Sequence, residues 1–303
     1  MRIGRRNMLA GGAALLAGGI GVEYASFRGS FDHRSSAGAG GVSEYAESQK
    51  RISGGVEGVL HVGHSTHLVA LGGLRFLTDP WFYDPAFGAL AHERAPAVLP
   101  SALGKLDVIL ISHDHADHAD LRALAEMDRT AAVVVDTEEL AKKVRGVGFA
   151  SVSVLAVAEK KTFGEVTVTA VEALHDIHEI GFVLARGEKS VYFAGDTAMN
   201  PAIAKIGQTF KPTLSILPCD GTRLTGGAQL VMTPADAVEA AKQLGSRVVM
   251  PSHAEAHFSD PIASTFLASH APKPRETFLA GVQRELEGTT LCVVPRPGDL
   301  VVV

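Results

Sequence analysis

The run His113-Asp114-His115-Ala116-Asp117-His118 holds the densest group of metal-binding side chains in this sequence. The alternate residues His113 and His115 can present two imidazoles to one cation, while Asp117 and His118 supply a carboxylate and an imidazole for a second. Divalent ions such as Zn²⁺ accept these ligands. A solvated polar loop or a helix cap at Asp117 is the alternative, but composition alone produces this spacing with a probability on the order of one in a thousand. The run therefore predicts a metal site.

Three further candidate ligands also follow apolar runs. The run at 108–111 predicts a buried strand that ends just before His113, and α/β proteins often build sites at strand ends. His175, Asp196 and His253 follow the runs at 168–174, 191–195 and 248–252. Each residue alone is weak evidence for a metal ligand, because a lone strand-end histidine is more often structural and a Gly-Asp pair is more often a turn. As a set they supply the ligands for two cations, and an aspartate such as Asp196 can bridge ions about 3.5–4 Å apart.

The elements that must position these residues are strands mixed with helices. Gly72-Gly73 predicts the tight turn of a hairpin. Alternating or continuous apolar residues predict strands, listed here by number: 59–62, 66–71, 74–78, 108–111, 132–135, 166–171, 182–185, 191–194, 214–217, 248–250 and 291–294. Helical patterns fall at 120–127, 137–144, 201–206, 234–244 and 276–286. Hairpins combined with strand-helix pairs predict an α/β (α+β) fold of two sheets packed face to face, with helices outside.

Composition restricts the class of protein and its partners. The 303 residues are 46% hydrophobic and 20% charged with a formal net charge of -5, as in an ordinary globular protein. Such a balance excludes a polybasic protein, so no nucleic-acid partner is expected. Cys219 and Cys292 form no Cys-x-x-Cys pair, which favours two buried free thiols over a redox or zinc-ribbon site.

The first 53 residues differ from the rest of the chain. Arg5-Arg6 precede an uncharged Ala/Gly/Leu stretch that continues to Val22, a pattern that predicts a twin-arginine signal peptide over residues 1–25. A membrane anchor is the alternative, but the stretch is shorter than the roughly 20 residues that a spanning helix needs. The Ser/Gly/Ala-rich residues 26–53 are interpreted as a linker, which leaves 54–303 as one folded domain. A periplasmic or other extracytoplasmic location is expected.

The segment from Val56 to Val303 resembles the metallo-β-lactamase superfamily. Within it the chain looks like the branch that contains N-acyl-phosphatidylethanolamine phospholipase D and ascorbate-phosphate lactonase. Five sequence motifs match in order: Asp79 in Thr78-Asp79-Pro80; His113, His115, Asp117 and His118; His175; Asp196 in Gly195-Asp196-Thr197; and His253 in Pro251-Ser252-His253. The similarity to this branch in particular rests on three shorter motifs: Gly63-His64-Ser65-Thr66, Met232-Thr233 and Pro297-Gly298-Asp299. The resemblance implies a four-layer αβ/βα sandwich with the site at one edge between the sheets.

The resemblance also implies roles for the matched residues. His113, His115 and His175 would bind one metal, Asp117, His118 and His253 would bind the other, and Asp196 would bridge them. We expect zinc, with manganese or iron as alternatives. Asp79 would orient a ligand histidine from outside the centre. His64 is expected at the mouth of the site as a hydrogen-bond or proton donor, and Asp117 is expected to orient the attacking water.

The expected activity is a metal-dependent hydrolysis in which a metal-bridging hydroxide cleaves an ester-type bond. Phosphodiesters, phospholipids, lactones and plain esters all remain open, because the fold does not select among them. True β-lactamase activity is not expected, since Asp196 stands where those enzymes usually carry Cys or Ser. The alternative is an exported metal-binding or scaffold protein without turnover. The expected partner is a small-molecule or lipid substrate, with membrane contact only through an uncleaved signal.

The sequence leaves the roles of several other residues open. His178 and His257 lie near ligands in the sequence and are expected to be surface or packing residues. Trp81 is expected either to form an apolar wall for the substrate or to lie in the core. The Gly-rich loop at 220–231 is longer than expected for this branch and is a candidate determinant of specificity.

The paired arginines lead to a test of the export route. Replacing both Arg5 and Arg6 by Lys should leave the protein in the cytoplasm with its signal uncleaved, because twin-arginine recognition requires the pair. Cell fractionation with immunoblotting measures this, and Arg2→Lys, outside the pair, should be exported normally. Normal export of the double variant would instead indicate the general secretory route.

Overall fold

The computed structural model describes residues 42–259 and 268–303, and two seven-stranded sheets form its framework. In spatial order, the first sheet consists of β18 Leu300–Val302, β1 Gly58–Gly63, β2 Thr66–Leu71, β3 Leu74–Thr78, β5 Val108–Leu110, β6 Ala132–Val135 and β7 Val152–Val154. In spatial order, the second sheet consists of β17 Leu291–Cys292, β14 Val248–Ser252, β12 Leu214–Pro218, β11 Lys189–Phe193, β10 Ile180–Arg186, β9 Val166–Glu172 and β8 Lys160–Phe163.

Two small ribbons and the helices complete the described part of the chain. β4 Leu90–His92 pairs with β15 Ala256–Phe258, and β13 Arg223–Leu224 pairs with β16 Ala268–Ser269. The described α-helices are α1 Val42–Ser53, α2 Leu121–Leu124, α3 Glu138–Val147, α4 Ala202–Phe210, α5 Pro234–Leu244 and α6 Pro274–Glu285. Within these residues, no helix is long and apolar enough to span a membrane.

The side chains of each sheet alternate between two apolar layers. In β2, Leu68 packs in the cluster under α2 and α3, whereas Val69 packs in the cluster between the sheets. In β11, Tyr192 packs against α4 and α5, whereas Phe193 lies between the sheets. This period of two, with apolar residues on both faces, is the pattern of a sheet covered on both sides. The four-layer αβ/βα sandwich expected from the sequence is therefore confirmed.

Most of the expected elements are present, and one expectation needs correction. The linker expected over 26–53 is wrong for its last twelve residues, which form α1. Tyr45 is buried there and its hydroxyl donates to the carbonyl of Leu103 over 3.4 Å, while Ser48 donates to the carbonyl of Gly298 over 2.7 Å. Ile52, two turns after Tyr45, packs against the same apolar cluster, so tertiary contacts of this face stabilise the helix. The expected signal peptide and the linker up to residue 41 lie outside the described residues.

The directions of the strands place many of their carboxyl ends at one edge of the sandwich. β3, β5 and β6 are mutually parallel, as are β11, β12 and β14. β1 and β9 run in the same sense as these strands, because each is separated from them by one antiparallel neighbour. The carboxyl ends of strands from both sheets therefore meet at a single edge of the sandwich, where α/β proteins place their ligands.

The contact between α4 and α5 gives a stability prediction. A Cβ on Gly207 of α4 would overlap the backbone oxygen of Gln243 and would lie 2.8 Å from the Cα of Leu244 in α5. Gly207→Ala should therefore reduce the free energy of unfolding by about 1–3 kcal/mol through overpacking. Gly146 of α3 has no such neighbour, so Gly146→Ala should stabilise by about 0.5–1 kcal/mol. Urea unfolding of both variants measures this, and a stabilised Gly207→Ala protein would show that the helices do not touch there.

Candidate metal centre

Six of the seven candidate ligands converge at this edge in two groups. The first group is His113, His115 and His175, whose ligand atoms all lie within 4.8 Å of one another. The second group contains Asp117, His118 and His253 within the same distance, together with His64. The groups have the membership expected from the sequence, with His64 as an addition.

Asp196 lies between the two groups. Its Oδ2 atom is 2.9 Å from Nε2 of His118 and 2.9 Å from Nε2 of His253, both in the second group. The same oxygen is 4.0 Å from Nε2 of His113 in the first group. One carboxylate thus faces ligands of both groups, which is the position that a bridging aspartate requires.

The backbone that carries Asp196 is specified by its neighbours. Gly195 has a φ of +68°, in the left-handed region that favours glycine. A Cβ at this position would overlap Oε1 of Glu179. The same Glu179 oxygen accepts a hydrogen bond from the backbone N–H of Asp196 over 2.6 Å. Only glycine therefore permits the close approach of Glu179 that holds the turn after β11.

Three ligand histidines are oriented by carboxylates outside the two groups. Asp79 lies 2.7 Å from Nδ1 of His118, and Asp220 lies 3.1 Å from Nδ1 of His253. Glu179 lies 3.2 Å from Nδ1 of His113. A carboxylate on Nδ1 fixes the ring and leaves Nε2 for a metal, and such partners raise the basicity of the ligand. Nε2 of His118 and His253 indeed face Asp196, as the distances above show.

Sequence reasoning found one of these three outer carboxylates and missed two. Asp79 was expected because the motif Thr78-Asp79-Pro80 matches the family pattern. Asp220 follows β12 across Cys219, so the strand-end signal that identified Asp196 would have found it. Glu179 precedes β10, where no such signal exists, and it enters the centre only because the connection from β9 folds back over His113.

Burial and charge suit this centre to a divalent cation. Nε2 of His113, Oδ1 of Asp117 and Oδ1 of Asp196 are buried and have no hydrogen-bond partner among the described residues. Each such atom costs about 1–3 kcal/mol when left unsatisfied. Burial would lower the pKa of His118, but the facing carboxylate of Asp196 raises it well above its ordinary value. Lone pairs with such proton affinity also bind metals, which replace the protons. The residues present therefore fit a metal centre.

His64 lies deeper than expected. It was expected at the mouth of the site, but only 1% of its surface is exposed, and its ring centroid is 4.4 Å from that of His253. Burial, assisted by His253, lowers the pKa of His64 well below its ordinary value, so the ring is neutral. Neither ring nitrogen has a hydrogen-bond partner among the described residues. Its backbone N–H donates to Glu255 over 3.3 Å, which holds the β1–β2 turn.

The remaining candidates separate into core and surface. Trp81 is fully buried and stacks on His92 with a centroid distance of 3.6 Å, so it is a core residue that also contacts His64 at its edge. His178 and His257 are exposed. Cys219 and Cys292 are buried free thiols, as expected.

Known proteins resemble this chain in fold and in sequence. The family model described as a Beta-lactamase superfamily domain matches residues 74–254. A UPF0173 metal-dependent hydrolase of Caldivirga maquilingensis is 32% identical to this chain, and the matched region covers 63% of this chain and 79% of that relative. Another, from Myxococcus xanthus, is 30% identical over 78% of this chain and 80% of its own. The crystal structure of an isothiocyanate hydrolase from Delia radicum gut bacteria has a TM-score of 0.66 at 20% identity, covering 81% of this chain and 98% of that one.

The sandwich, the His/Asp centre and these relatives define a metal-dependent hydrolase. The chain belongs to the metallo-β-lactamase superfamily, as a homologue of the UPF0173 metal-dependent hydrolases. The similarity to the isothiocyanate hydrolase, at 20% identity, supports the fold alone.

Glu179 gives a prediction about how the centre is held. Burial raises the pKa of Glu179 to about 8, and Gln has nearly the same shape and keeps a side-chain oxygen. Glu179→Gln keeps an acceptor for the Asp196 N–H and should bind metal nearly as well as the parent. Glu179→Ala leaves that N–H unpaired and should weaken metal binding by about 10–100-fold. Competition with a chromogenic chelator measures both, and parental affinity in Glu179→Ala would remove Glu179 from any positioning role.

Proposed function

We propose that this protein is a dinuclear metal hydrolase that cleaves an ester-type bond, in a phosphodiester, a phospholipid or a lactone. The observation that carries the proposal is the position of Asp196 between two groups of ligands. A single-metal site would need only one of these groups. Two groups that share one carboxylate match the requirement for two ions about 3.5–4 Å apart.

The ligands divide between the two ions as follows. His113, His115 and His175 would hold the first ion, Asp117, His118 and His253 would hold the second, and Asp196 would contact both. This set of imidazoles and carboxylates suits zinc, with manganese and iron as alternatives. When bound, two such ions supply a hydroxide nucleophile at neutral pH and positive charge for the oxyanion that develops during ester cleavage.

Two side chains of the second group are proposed to act on the reactants. Oδ2 of Asp117 lies 3.7 Å from Nε2 of His118 and 3.6 Å from Nε2 of His253, while Oδ1 has no partner among the described residues. That free oxygen can accept a hydrogen bond from the attacking water and orient it. Nε2 of His64 lies 4.0 Å from Oδ2 of Asp117, so its neutral ring can donate a hydrogen bond to a substrate oxygen.

The ester-type bond is supported by two considerations. The relatives above are metal-dependent hydrolases by name, and the motifs around His64, Thr233 and Gly298 resemble the branch that acts on phosphodiesters and lactones. The isothiocyanate hydrolase has the same fold and a different substrate, so the fold does not select the bond. Location outside the cytoplasm remains part of the proposal and depends on the N-terminal pattern alone.

Two variants test this function by separating ligand from donor. Asp196→Ala removes the shared anion, so both metal content and turnover should fall. His64→Ala should keep both ions while turnover falls by roughly 10²–10⁴-fold, as expected for a lost proton donor. Turnover is measured on bis(p-nitrophenyl) phosphate, lactones and phospholipids, with elemental analysis of the same samples. His178→Ala, an exposed histidine near the ligands, is the matched control and should change neither quantity.

The outcomes discriminate among the alternatives. The parent protein should contain close to two ions per chain and should lose turnover when a chelator removes them. No more than one ion after loading with Zn²⁺ or Mn²⁺ would reject the dinuclear centre. Two ions without turnover on any of these substrates would favour a metal-binding or scaffold protein. Metal loss in His64→Ala would make His64 a ligand rather than a donor.

A further inference from the structure

Exposed apolar side chains gather beside the first ligand group. Eight large hydrophobic residues are exposed among the described residues. Three of them, Phe87 at 44%, Leu174 at 51% and Ile177 at 37%, adjoin His115 or His175, and we name these three the apolar rim. Single exposed hydrophobic residues are normal, whereas several at one site indicate a surface that binds something apolar.

Distances connect the apolar rim to the metal centre. The ring centroid of Phe87 is 5.4 Å from that of His115, with the two rings nearly perpendicular. The ring of His115 is in turn 5.0 Å from that of His175. Leu174 directly precedes His175, and Ile177 follows it by two residues. The side chain of His113 is fully buried and that of His175 is 3% exposed, whereas that of His115, which contacts Phe87, is 13% exposed. The part of this ligand group that solvent reaches is therefore His115, beside Phe87.

The backbone holds the apolar rim in place from both sides. Phe87 has a φ of +50°, which is unfavourable for a residue with a Cβ. Its turn is closed by two hydrogen bonds between Ala86 and Leu90, at 2.7 and 2.8 Å. The N–H of Leu174 donates to Thr197 and its carbonyl accepts from Ala198, both over 2.8 Å, which attaches it to the loop after Asp196. Phe87 and Leu174 are therefore fixed relative to the ligands.

We propose that the apolar rim binds the hydrocarbon chain of an amphiphilic ester substrate, whose ester group reaches the centre beside His115 and His175. The rim is continuous with the ligands, so a molecule that contacts both must have a polar end and an apolar end. Three side chains are too few for a protein interface, which places about 20–30 residues on each side. This inference rests on the proposed function for the identity of the polar end.

Binding of alkylphosphonates tests the inference without relying on turnover. The phosphonate oxygens suit a metal centre, and the alkyl group can be lengthened from ethyl to octyl. Each fully buried methylene tightens binding by about fourfold, so partial burial on the rim should give at least about tenfold across the series. Calorimetry on the full-length, metal-loaded protein measures this, with each compound kept below its micellar concentration.

Matched variants identify the surface responsible. Phe87→Ser and Leu174→Ser should bind ethylphosphonate as the parent does but should lose most of the dependence on chain length. Leu291→Ser is the control, because Leu291 is 61% exposed and pairs with Val248 at the start of β14. That position is five residues, or roughly 16 Å along the strand, from His253 at the other end. Leu291→Ser should keep the full dependence on chain length.

The results separate this inference from the proposed function. Binding that is independent of chain length in the parent, or lost equally in Leu291→Ser, would overturn the role of the apolar rim. Failure of every alkylphosphonate to bind the metal-loaded protein would overturn it as well. A dependence on chain length that both rim variants abolish would support it, even if no ester were hydrolysed. In that case only the proposed hydrolysis would fail.

Discussion

The centre depends on one carboxylate that faces two groups of imidazoles. Asp196 can stand 2.9 Å from both His118 and His253 only because Gly195 turns the chain sharply after β11 and leaves room for Glu179 against the backbone. Burial would raise the pKa of Asp196, but His118 and His253 lower it well below its ordinary value. A negative charge is thereby kept in the interior, where it can attract cations.

The spacing of the centre is set by the apolar layer between the sheets. The first sheet supplies Asp79 and the run from His113 to His118, while the second supplies Asp196, Asp220 and His253. Residues such as Phe76, Phe182 and Phe193 fill the space between the sheets and fix their separation. Because close-packed interiors resist small displacements, ligands from separate sheets can keep distances that a metal pair requires.

The two halves of the centre differ in their surroundings. The first group lies beside the exposed ring of Phe87, whereas in the second group His253 packs against the buried ring of His64, which Trp81 contacts in turn. An amphiphilic substrate would therefore meet apolar side chains before it reaches the ligands, and the reacting atoms would lie deeper, beside Asp117. His64 and Asp117 are 1% and 3% exposed, and in such a buried environment a hydrogen bond to a developing charge is stronger than in water.

The sequence by itself determined the α/β sandwich and the seven candidate ligands. Both follow from local patterns, namely apolar runs for strands and polar residues at the strand ends. Only the tertiary structure decided the rest, because it depends on residues distant in sequence. α1 forms through contacts of Tyr45 and Ser48 with residues 58 and 250 positions away. The approach of Glu179 to His113 and the burial of His64 likewise emerge only when β1, β10 and β14 are packed together with their neighbours, since no local pattern encodes which side chains a neighbouring strand brings near.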